Sequence, residues 1–119
     1  MSDESGSEFE HHVEDGVVVQ DLTRWNGADG LPAAVVSDWN TYASEAAVTG
    51  AATLLGAGTD AATVRAVVDA LVAAEGVDSV RRLAISVPGG PTEPVAVETE
   101  TVAVRRFGDE EGAIAWARG

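Results

Sequence analysis

A chain of 119 residues without cysteine suits one domain around a single core and excludes disulfides and thiolate metal sites. No apolar run approaches the ~20 residues that cross a bilayer and no basic-then-apolar leader opens the chain, so a soluble cytoplasmic protein without membrane contact is expected. Twenty acids face seven basic residues, all arginine, for a net charge of −13, which leaves no basic stripe for nucleic acid.

Residues 1–12, "MSDESGSEFEHH", are polar, acidic and Gly/Ser-containing, and read as a flexible tail ahead of one α/β domain over 13–119. His11 and His12 are adjacent, hence on opposite sides of an extended backbone, which is poor geometry for one metal ion. The β-branched run after Gly16 predicts a strand over Val17–Thr23, and "NGADG" then breaks the chain with two turn dipeptides. Pro32 suits a first helical turn, and Val35, Val36, Trp39, Tyr42 and Ala43 recur at helical spacing, so Leu31–Ser44 is expected to be an amphipathic helix.

The uncharged apolar run around Ala51–Leu55 lies between glycines and fits a strand covered on both faces. Val64, Val67, Val68, Leu71 and Val72 then form one helical stripe, with Thr59 or Asp60 to cap its start and Gly76 to end it. "RLAISV" predicts a strand over Arg82–Val87, stopped by Pro88. Within 88–99, Pro91 and Pro94 oppose regular structure, and "VAVE" fits a helical turn or an extra strand. A strand over Glu100–Phe107 places Val102, Val104 and Arg106 on one face and Ala103, Arg105 and Phe107 on the other. A final helix starts at about Asp109, with Ala113, Ile114 and Ala117 inward and Trp116 at the seam. Gly112 costs that helix about 1 kcal/mol against alanine, so packing must hold it. The resulting order is β-α-β-α-β-β-α, which predicts a four- or five-stranded, mostly parallel or mixed sheet with helices packed on it. With aromatics at 5%, Trp25, Trp39 and Trp116 are the expected bulky anchors of a fine-grained Ala/Val core.

At ordinary ionic strength a charge of −13 opposes compaction, but at molar salt the screening length falls to roughly 3 Å. Acids spread along the whole chain, no lysine and an Ala/Val-rich body are the composition that an extreme halophile's cytoplasm selects. A surface specialised for a basic partner is the rival explanation, and the even spread of the acids disfavours it.

The closing segment "VRRFGDEEGAIAWARG", together with "VRRLAIS" before it, resembles the STAS superfamily of sulfate-transporter and anti-sigma-factor-antagonist domains, particularly its anti-sigma-antagonist-like, STAS/SEC14 branch. Members often close on a strand, a phenylalanine, a few acids and an alanine–tryptophan helix, matched here by Val104, Phe107, Asp109, Glu110, Glu111, Ala113 and Trp116. The likeness covers residues 16–118 in layout and the last third in residue pattern. It implies a STAS-like fold and a regulatory role exercised by binding another protein. Two departures stand out: STAS domains usually carry a helix between the last two strands, and regulated members present a Ser or Thr phosphoacceptor in an Asp-Ser-Ser-Gly-like context. Here "GAGTDAAT" occupies the equivalent place, with Thr59 at the helix start and no Ser-Ser-Gly.

Thr59 with Gly56 and Gly58 forms a candidate cradle for an anion or phosphoryl group, since helix starts offer free N–H donors. A plain N-cap is the preferred alternative, because Asp60 would repel phosphate, and the segment lacks the Gly-Lys-Ser/Thr of a P-loop. Arg81/Arg82 and Arg105/Arg106 could form a positive island if their strands are neighbours, with Arg82 the candidate ligand; neutralisation of nearby acids is the simpler role. Asp109, Glu110 and Glu111 are better placed as a cap than as an acid–base pair. No nucleophile–base arrangement is visible, so neither catalysis, metal nor cofactor is expected. Three functional classes follow in order: a non-catalytic interaction or regulatory domain with a protein partner or a second copy of itself; a small-ligand, nucleotide or phosphate-binding module using loop 56–60; and, last, an enzyme.

Overall fold

The computed structural model describes residues 10–23, 33–43, 48–74, 80–95, 97 and 102–119. In chain order the elements are β1 (Glu10–Glu14), β2 (Val17–Leu22), α1 (Ala33–Ala43), β3 (Gly50–Leu55), α2 (Ala61–Ala73), β4 (Arg82–Ser86), β5 (Glu93–Val95), β6 (Ala103–Phe107) and α3 (Glu110–Arg118). They build one α/β domain on a mixed sheet of order β1-β2-β3-β4-β6-β5. β2, β3, β4 and β6 run parallel, while β1 and β5 pair antiparallel at the two edges.

The sheet has six strands where four or five were expected, and both additions are edges. β1 takes up residues 10–12, which the sequence assigned to a tail. Asp15 and Gly16 have φ of 50° and 81°, and the pair Glu14↔Val17 brackets them. That is the two-residue hairpin turn that Asp-Gly favours. An edge strand needs only one paired side, so the polar segment "EHHVE" can join without an apolar face of its own. Against the expectation that Pro94 opposes regular structure, it is the middle residue of β5, at the edge where a residue without an N–H is tolerated; of "VAVE", Val95 ends this strand, and Ala96 and Glu98 lie outside the described residues. The expected ends at Leu31, Ser44, Gly76 and Glu100, and the turn "NGADG", lie outside the described residues.

Alternate residues of each strand face two unequal cores. Val18, Leu22, Ala51, Leu55, Leu83, Ile85 and Val104 point to α1 and α2, joining Val35, Trp39, Val64, Val67, Val68 and Leu71 in the larger cluster. Val17, Val19, Ala52, Leu54, Ala84 and Phe107 point the other way, under Ala113 and Ala117 of α3. β3 is therefore buried over its whole length, as an apolar strand between two covered faces should be. Trp39 is fully buried among the larger cluster. Trp116 is only half-buried, its ring 5.7 Å from that of Phe107, so it seals a rim instead of anchoring the centre; Trp25 lies outside the described residues.

α1 and α2 lie on one face, and only after β6 does the chain cross to the other. α3 then runs back against the strand direction and brings its last turn over the start of β3. A methyl group at Gly50 would be driven into the Ala117 carbonyl oxygen and would sit 2.9 Å from the Ala117 carbonyl carbon. Glycine at this position is what allows the helix to seat.

Candidate functional site

Loop 56–60 leaves β3 at its C-terminal end and feeds α2. The Gly56 carbonyl accepts from the Thr59 hydroxyl at 2.6 Å and from the Thr59 N–H at 3.3 Å, closing a tight local turn. Gly58 holds φ at +84°, a left-handed conformation natural to glycine. Asp60 is the N-cap of α2, accepting the Thr63 N–H at 2.8 Å. The Thr63 side chain, and then its backbone N–H, hold the Asp60 carboxyl below its ordinary pKa. The loop thus brings Thr59, Gly56 and Gly58 together, but the helix start already carries an ionised carboxylate and the Thr59 hydroxyl is engaged. A phosphoryl group on Thr59 would break that hydroxyl bond and set negative charge beside Asp60.

Arg82 does not belong to this loop. It is level with Gly50 in the β3–β4 register, six residues and roughly 20 Å of strand before Gly56. Nor do the two arginine pairs make one island, although β4 and β6 are neighbours. Their register sets Arg82 beside Ala103, Arg105 beside Ala84 and Arg106 beside Ile85, so Arg105 stands two residues farther along the strands than Arg82 and Arg106 falls on the other face of the sheet. Arg82 turns to α3, where its Nη1 donates to the Trp116 carbonyl at 3.0 Å and its guanidinium carbon lies 5.3 Å from the centre of the Trp116 ring. Arg106 turns to the opposite face, its Nη1 3.9 Å from a Glu93 carboxylate oxygen and its Nε buried without a partner.

What does gather around Arg82 is a different set. Thr49, Arg81, Arg82, Ala117, Arg118 and Gly119 line one groove where the end of α3 meets the starts of β3 and β4. Sequence reasoning missed Thr49 and Arg118. The signal lay in topology: a helix that follows a parallel strand returns antiparallel to it, so its last residues meet the N-terminal ends of neighbouring strands.

Elsewhere the polar side chains serve the fold. Fully buried Gln20 and Thr53 are opposite each other on β2 and β3, the Thr53 hydroxyl donating to Gln20 Oε1 at 2.7 Å. Gln20 Nε2 lies 3.1 Å from His11 Nε2, which extends this row to the edge strand. His12 turns to the other side and lies 2.8 Å from Glu14, exposed. Asp109 caps α3 by accepting the Gly112 N–H at 2.8 Å, and Glu110 and Glu111 occupy its exposed first turn. Asn40 is half-buried beside fully buried Trp39, and the side chain of Tyr42 lies outside the described residues. Among the described residues, no three His, Asp or Glu side chains converge as metal ligands, and no helix is long and apolar enough to cross a membrane.

No protein-family model, curated protein or solved structure matches the chain.

Proposed function

We propose that the chain is a non-catalytic, STAS-like interaction or regulatory domain of a halophilic cytoplasm, which acts by presenting the outer side of α2 to a protein partner or to a second copy of itself. The observation that carries this reading is the chemistry of that side. Ala61, Ala62, Ala66 and Ala73 are exposed along it, and its two charged residues, Arg65 and Asp69, are paired at 3.1 Å. In a chain of net charge −13, α2 is formally neutral and paved with methyl groups. Such a surface has little hydration to lose on contact, and the screening of molar salt does not weaken apolar burial. Loop 56–60 flanks it and supplies exposed Ala57 and Gly58 at its margin.

The reading is tested at molar salt by sedimentation of the chain alone and by capture of a partner from native extract. Ala62→Glu and Ala66→Glu place charge on the surface without touching the core. Loss of the dimer or of the captured partner in both variants, with circular dichroism unchanged, is the expected result. Retention of the same complex by both variants would move the interface away from α2.

A further inference from the structure

Three of the seven arginines meet in a single groove on the α3 face, at the end of the sheet opposite loop 56–60. Arg81 and Arg82 come from the start of β4 and Arg118 from the last turn of α3; with Thr49, Ala117 and Gly119 they enclose a hollow of about 140 Å³. All three arginines and Thr49 are exposed to solvent. Arg82 is pre-positioned, since the Trp116 ring lies beneath its guanidinium and the Trp116 carbonyl takes one of its N–H groups. That leaves the rest of its five-donor fork free to face the groove. Arg118, in the last turn of α3, also meets the negative end of the helix dipole, and its exposed guanidinium keeps its donors open to a ligand.

Charge pairing sets these residues apart. Arg65 is bonded to Asp69 and Arg106 faces Glu93, as expected where acids outnumber bases almost three to one. Among the described residues, no carboxylate side chain lies within ion-pair distance of Arg81, Arg82 or Arg118. Among the described residues, three positive charges are thus held together without a paired carboxylate, in a strongly acidic protein.

We propose that this groove is an oxyanion site, which takes the phosphate or carboxylate group of a larger ligand. Guanidinium forks grip two oxygens of such a group at once, and the Thr49 hydroxyl adds a donor. The volume sets the class: pockets that enclose a whole small molecule run to about 300–1,000 Å³, so this hollow takes one charged head and leaves the remainder of the ligand outside. Short bidentate contacts also survive at high ionic strength, where long-range attraction does not. The site lies on the opposite face from α2 and stands independently of the function proposed above.

The test is a ¹⁵N–¹H NMR titration of the full chain with inorganic phosphate, and in parallel with acetate, at constant high ionic strength. Saturable shifts confined to Thr49, Arg81, Arg82, Arg118 and Gly119 are expected, with binding weakened at least tenfold in Arg81→Gln/Arg118→Gln. Neither side chain contributes to the core, and Arg118→Gln alone, expected to weaken binding about threefold, serves if the double variant unfolds. Stronger binding of phosphate assigns a phosphoryl ligand, and stronger binding of acetate a carboxylate. Shifts that do not saturate, that scatter over the surface or that persist in the variants mean an adventitious ion only and overturn the proposal.

Discussion

Gly50→Ala is the sharpest probe of how the end of α3 is seated. Two effects oppose each other. Alanine restricts the unfolded chain and suits a strand better than glycine, which stabilises by roughly 0.5–1 kcal/mol where space allows. Here the new methyl would collide with the Ala117 carbonyl and sit 2.9 Å from its carbon, and both atoms belong to backbone that no rotamer change can move. Overpacking of this kind costs about 1–3 kcal/mol, and the helix can escape only by lifting Ala113 and Ala117 off Ala52 and Ala84. The clash wins, so a net loss of about 1–2 kcal/mol is expected. Urea unfolding at molar salt measures it, and rising exposure of Trp116 to a soluble fluorescence quencher reports the lifted helix. A Gly50→Ala protein as stable as the parent, with Trp116 equally shielded, would refute the close packing of α3 on β3.

Thr53→Val leaves the buried Gln20 oxygen without its donor and is expected to cost about 1–3 kcal/mol in denaturant unfolding, most of it recovered in Gln20→Leu/Thr53→Val because both polar groups are then gone. Asp60 has a folded pKa below its unfolded value of about 3.9, so its capping contribution is fully present above that value and fades as pH falls through the lower folded one. The stability gap between the parent and Asp60→Ala, followed by acid titration of thermal unfolding, should accordingly be constant at neutral pH and close only in that acidic window. Arg82→Ala removes the cation from the Trp116 ring and a donor from its carbonyl; about 0.5–1 kcal/mol and a shift in tryptophan emission are expected, whereas Arg65→Ala should leave the emission unchanged.

The parts of the fold legible in sequence are those whose apolar pattern is dictated by burial. β3 has no charge and is buried on both faces; α2 has five apolar residues at helical spacing and an Asp cap. The α3 boundary was legible for a similar reason, with Asp109 capping and Ala113 and Ala117 inward. β1 was not, because an edge strand owes its structure to backbone pairing with β2, and its own side chains look like those of a solvated tail. Asp15-Gly16 carried the hairpin signal, but between two polar residues and a valine run it reads equally as the break before a first strand. Of the site candidates, Gly56, Gly58 and Thr59 are together because they are contiguous. The groove around Arg81 and Arg82 was hidden because Thr49 and Arg118 come from segments that only the antiparallel return of α3 brings beside them.

The two margins of the sheet bear on edge-to-edge pairing between chains when salt screens mutual repulsion. An open ribbon border invites another chain to zip alongside. One border here ends in Glu93-Pro94-Val95, three residues long with an imino acid at its middle; the other is a five-residue strand that stops at the tight reversal Asp15-Gly16. Brevity and a missing amide proton are properties of covalent structure that no electrolyte can screen. Where ionic shielding removes the electrostatic guard against stacking, these stereochemical stops remain in force.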